Sequence, residues 1–90
     1  MNEEMYPFLP VKYGDKGIHV YLCQLALKML QFRGEDGIPL KIDGHCGDNT
    51  LYAINSFQRT EIAYGFDIGT KGEVDGCFGK GCWSILGVFN

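Results

Sequence analysis

The hexapeptide Ile42-Asp43-Gly44-His45-Cys46-Gly47 returns 32 residues later as Val74-Asp75-Gly76-Cys77-Phe78-Gly79. Each repeated position has a physical reading. The β-branched Ile42 and Val74 favour a short extended segment. Asp-Gly then turns the chain, because an Asp carboxylate bonds backbone two residues on and Gly takes positive φ at no steric cost. Cys46 and Phe78 are expected to point inward as apolar plugs. Gly47 and Gly79 fall at the N-cap of a helix, where a missing side chain is expected to allow a tight entry. The correspondence continues through Thr50 and Cys82, Ala53 and Ile85, and Ile54 and Leu86. The unit is a turn that launches a helix.

Working outward, two glycine-free windows flank the first copy. Residues 18–33 carry Val20, Cys23, Leu27 and Leu30 on one helical face, and Gly34 is expected to cap the C-terminus. Residues 48–64 carry Thr50, Ala53, Ile54 and Phe57, with Gly65 following. A short third helix is expected over residues 80–86, closed by Gly87. Segments 34–47 and 65–79 are 14 and 15 residues long, a length uncommon for loops without a function. A second echo pairs Val20-x-x-Cys23-Gln24 with Ile54-x-x-Phe57-Gln58, and each glutamine is expected to tie down loop backbone at the core edge rather than touch ligand.

Composition narrows the classes. Ninety residues, 46% hydrophobic and 21% charged, suit one small folded domain, expected over residues 13–90 with residues 1–12 as an extension or linker. A net charge of −3 argues against nucleic acid as a partner, and no apolar run reaches the roughly 18 residues of a membrane span. Glu3 and Glu4 stand where a secretion signal would be basic. Export by another route, an intracellular role or an excised module are the alternatives. Of the readings open to Cys23, Cys46, Cys77 and Cys82 (zinc, disulfides or buried thiols), thiols are favoured, because Cys23 and Cys46 occupy apolar positions and no pair has zinc-knuckle spacing.

Taken together, these residues resemble the peptidoglycan-binding domain family, small three-helix modules of endolysins, amidases and muramidases. Gly17, Val20, Cys23, Gln24 and Leu27 follow the family's first block. Asp43, Gly44, Gly47, Thr50, Ala53, Ile54, Phe57 and Gln58 follow its second, and Asp75, Gly76, Gly79, Trp83 and Leu86 its third. Cys46 replaces an aromatic or aliphatic residue and Cys82 a threonine. Asp48 and Lys80 stand where proline is common, and residues 35–41 and 62–71 look like insertions. The resemblance implies an all-α, compact three-helix bundle with two long Asp-Gly turn loops. It also implies no catalytic residues, and a role in holding a cell-wall hydrolase against peptidoglycan, at the cell wall.

The residues themselves offer no reaction centre. His45 beside Cys46 is poor geometry for a nucleophile and its base, and Asp43, Asp48 and Asn49 lack the ligand alternation of a calcium loop. No metal and no cofactor is expected. Because sugar rings stack on exposed aromatics, a shallow peptidoglycan site is expected from Tyr52, Tyr64 and Phe66 with Asp48, Asn49 and Gln58. A monomer is expected. A second stripe on the first helix, Ile18, Leu22, Leu25, Met29 and Phe32, raises the alternative of a protein-interaction or dimerisation module.

Overall fold

The computed structural model describes residues 6–87 and places three helices in them: α1 (Ile18–Met29), α2 (Asp48–Ala63) and α3 (Lys80–Ile85). Among the described residues no strand forms, and four isolated antiparallel bridges join the loops. The fold class is all-α. The Cα radius of gyration, 11.9 Å, is close to the roughly 12 Å of a fully compacted chain of this length.

Helix α1 turns Val20, Cys23, Gln24 and Leu27 inward. It ends four residues earlier than the glycine-free window suggests. Gln31, at φ 69, takes the left-handed position expected of Gly34. Its N–H donates to the Lys28 carbonyl and the Phe32 N–H to the Leu27 carbonyl, both at 2.9 Å, and this pair of bonds closes the helix. Phe32 is then free to turn back onto Phe57, ring centroids 5.6 Å apart, which offsets the strain of a non-glycine left-handed residue. Leu30, expected in the core, is 49% exposed because the helix stops beneath it. Gly34 has a different duty: a Cβ there would lie 2.6 Å from the Asn49 side chain. Helix α2 closes as expected, with Gly65 at φ 102 and the Phe66 N–H on the Glu61 carbonyl. It runs through Ala63, so the start of the segment read as an insertion is helical.

Gly47 and Gly79 are the N-caps of α2 and α3. The reason differs from the expected one. Their φ values are −99 and −95, and a Cβ at either would meet nothing within 4 Å. Neither place requires glycine.

The core is threaded by aromatic rings in edge-to-face or tilted contact: Phe57 with Phe78 at 5.2 Å, Phe78 with Trp83 at 4.9 Å, and Trp83 with Phe8 at 5.1 Å. Such pairs add about 0.5–1.5 kcal/mol each beyond their buried area. The Trp83 indole N–H donates to the Leu9 carbonyl at 3.0 Å. Val11 is fully buried and exchanges two backbone hydrogen bonds with Phe78. The boundary expected between residues 12 and 13 therefore falls inside the packed unit, which extends back at least to Phe8. Residues 1–5 of the expected extension and 88–90 of the expected domain lie outside the described residues.

Candidate functional site

Both Asp-Gly turns are held by the same device. In the first, Gln24 Oε1 accepts the N–H groups of Asp43 (3.0 Å) and Gly44 (2.9 Å), while its Nε2 lies within reach of Asp43 Oδ1, the His45 carbonyl and Thr50 Oγ1, at 2.9–3.0 Å. Two N–H donors on one side and acceptors on the other define the orientation of the amide. Asp43 Oδ1 also accepts the His45 N–H. In the second, Gln58 Oε1 accepts the N–H groups of Asp75 and Gly76, and its Nε2 faces Asp75 Oδ1, the Cys77 carbonyl and Cys82 Sγ. Asp75 Oδ1 accepts the Cys77 N–H. The glutamine role read from the sequence echo is observed in both copies.

These bonds set the charges. The His45 N–H and the Gln24 amide hold the Asp43 carboxyl below the usual carboxylate range. Burial opposes ionisation of Asp75, but the Gln58 amide, the Cys77 N–H and the Thr70 hydroxyl outweigh it and also hold that carboxyl low. The four cysteines are thiols, three of them buried. Burial pushes Cys46 and Cys82 up to about 11 and Cys23 well above its ordinary value. A Cys46 sulfur held protonated in this way is the opposite of an activated nucleophile beside His45.

The first turn borders two depressions of similar volume. One, of ≈380 Å³, opens between the first loop and the N-terminus of α2; Asp36, Lys41, His45 and Asp48 line it, and Gln24 and Thr50 contribute to its floor. The other, of ≈370 Å³, lies against the start of α1 and is lined by Lys16, Ile18 and Tyr21. Asp43 and His45 belong to both. The corresponding cleft beside the second turn holds ≈220 Å³.

The residues expected to form a glycan site are not gathered in one place. Gln58 is fully buried in its clamp and does not reach the surface. Asn49 pins the first loop, its Oδ1 accepting the Glu35 N–H at 3.0 Å and its Nδ2 donating to Asp36 at 3.3 Å. Asp48 lines both the ≈380 Å³ cleft and a ≈160 Å³ depression, in which Tyr52 lies with Glu35. Tyr64, 78% exposed, and Phe66 stand at the far end of α2. Twelve residues of helix separate Tyr52 from Tyr64, about 18 Å along the axis. Tyr21, Asp36 and Lys41 escaped sequence reasoning. The only linear signal for Tyr21 was an aromatic residue one place outside the buried face of α1; its closeness to the turn depends on the Gly17–Gly44 backbone bond.

Among the described residues no cluster of His, Cys, Asp and Glu could hold a metal ion, and no helix is long and apolar enough to cross a membrane. No family model, curated protein or solved structure matches this chain.

Proposed function

We propose that this chain is a non-catalytic peptidoglycan-binding module that holds an attached or partner cell-wall hydrolase against its substrate. The doubled clamp carries the reading. Seven of the residues that follow the family pattern, Gln24, Asp43, Gly44 and Thr50 in one copy and Gln58, Asp75 and Gly76 in the other, meet in the two clamps. A match by chance would have no reason to select side chains that bond one another across 17 to 26 residues of chain. In this reading the fold is the family's compact three-helix bundle with two long Asp-Gly turn loops, the site of action is the cell wall, and the module acts as a monomer without metal or cofactor. The net charge of −3 means that attraction to anionic wall polymers does not drive binding.

Sedimentation with insoluble peptidoglycan sacculi tests this. The folded chain should pellet saturably, in moderate salt, and release no soluble fragments. A folded chain that stays in the supernatant with every wall type would overturn the proposal.

One observation favours a second reading, a protein-interaction module. Phe8, Leu25, Met29, Leu30, Trp83 and Leu86 line an apolar groove of ≈310 Å³, and Met29 is 74% exposed. Self-association through this groove would appear as a concentration-dependent mass on sizing chromatography.

A further inference from the structure

We propose that the two clefts meeting at the Asp43–Gly44–His45 turn form one bipartite site for a muropeptide, its sugar on Tyr21 and its stem peptide between Asp36, Lys41 and His45. The inference rests on the peptidoglycan reading and adds to it the place of contact and the part of the polymer touched.

Size comes first. The loop-side cleft holds ≈380 Å³, within the usual range of small-ligand sites from about 300 Å³ upward; the α1-side depression, ≈370 Å³, is shallow and open, and the two share Asp43 and His45 as a common rim. A ligand with two chemically different halves can therefore occupy both by crossing a single turn. The backbone of the rim is hydrogen-bonded before any ligand arrives. The N–H groups of Asp43 and Gly44 are taken by Gln24 Oε1, and that of His45 by Asp43 Oδ1. Those bonds lower the cost of ordering the turn on binding, which favours affinity.

The chemistry of the two sides differs as the two halves of a muropeptide do. On the α1 side, Tyr21 is 44% exposed beside Ile18, an aromatic and aliphatic surface suited to the C–H face of a pyranose. On the loop side, Asp36, Asp48, Lys41 and His45 all line the cleft. The carboxylates of Asp36 and Asp48 and the ammonium of Lys41 match a short peptide carrying an amine and free carboxylates, whereas a neutral glycan would gain no charge complementarity from them. The second turn supplies a built-in contrast. Its cleft is smaller, Cys77 stands where His45 does, and Gly81 where Asn49 does. The site belongs to one copy of the repeat.

The test uses the full chain, labelled with nitrogen-15 and titrated with soluble disaccharide-peptides released from sacculi by a muramidase. Amide shifts should centre on Tyr21, Lys41, Gly44 and His45. Tyr21→Ala and Lys41→Ala, exposed positions whose folding is checked by thermal melting, should each weaken binding about five- to tenfold. N-acetylglucosamine oligomers should perturb only the Tyr21 side, and the free stem peptide only the Lys41 side. Shifts centred elsewhere, or unchanged affinity in both variants while the wild-type chain still pellets with sacculi, would overturn this site and leave the wall-binding reading intact. Failure of the wild-type chain to pellet would overturn both.

Discussion

The two Asp-Gly turns share a clamp and differ in almost everything around it. Gln24 reaches Thr50 Oγ1 at 2.9 Å, whereas Gln58 reaches Cys82 Sγ at 3.9 Å. Leu40 seals the first loop and Ile68 the second, but the first is pinned by Asn49 and the second by a Thr70–Glu73 bridge and by Thr70 on Asp75. The first leaves a ≈380 Å³ cleft with charges of both signs; the second leaves ≈220 Å³. A buried glutamine amide saturated by backbone can be copied because it demands only the turn. The residues facing outward from that turn are under no such demand, so the two copies are free to present clefts of different size and lining.

The largest effect should come from the clamps. Gln24→Ala and Gln58→Ala each strand several buried or half-buried hydrogen-bonding groups and leave a cavity, costing about 3 kcal/mol or more apiece. Urea unfolding should find the two losses within about 1 kcal/mol of each other; one tolerated and one severe substitution would break the equivalence of the copies. The loops should separate next. Gly69→Ala places a methyl group on the Glu73 carbonyl at φ 77 and should cost about 3 kcal/mol, while Gly37→Ala, at φ 76 in open space, should cost about 1 kcal/mol. Equal losses would mean that the second loop relaxes freely.

Acid should then weaken both turns together. Asp43 and Asp75 titrate lower in the folded chain than the roughly 3.9 of an unfolded aspartate. Their contribution to stability is therefore complete above that value and is lost as pH falls through their lowered folded values. Urea midpoints recorded from pH 7 to pH 2 should drop below about pH 4, and Asp43→Asn with Asp75→Asn should flatten that drop. A profile unchanged by the double substitution would remove the carboxylates from the clamps. The smallest effect sharpens the contrast: Cys82→Thr restores the hydroxyl of the first copy and should stabilise by up to about 1 kcal/mol. A loss of similar size would show that the pocket around Cys82 is shaped for sulfur.

Legibility in the sequence followed the same division. The repeat, the helix starts at Asp48 and Lys80 and the clamping role of both glutamines were readable, because each follows from local turn chemistry and from a period of residues facing one core. The end of α1 was not. Gly34 looked like the cap, yet packing of Phe32 on Phe57 stabilises a left-handed Gln31 instead, and Gly34 is needed where Asn49 approaches. The domain boundary was misplaced for a similar reason. Val11 joins the core through Phe78, 67 positions away in sequence. Tyr52, Tyr64 and Phe66 were singled out as exposed aromatics, and they are exposed, but exposure alone carries no information about distance.

What the sequence determined by itself is the repeated module: an Asp-Gly turn, an apolar plug, a helix, and a glutamine one helix earlier to hold the turn. Those features depend on backbone preference and on the spacing of a few residues, which the linear order contains. The tertiary structure alone decided where the clefts lie and which side chains share them. Tyr21 and His45 line one depression only because Gly17 bonds Gly44 and Lys16 pairs with His45, and Asp36 and Lys41 come to line one cleft only because Asn49 folds the first loop onto α2. Such meetings depend on loop closure and packing, in which many weak contacts are satisfied together, and no local pattern encodes them.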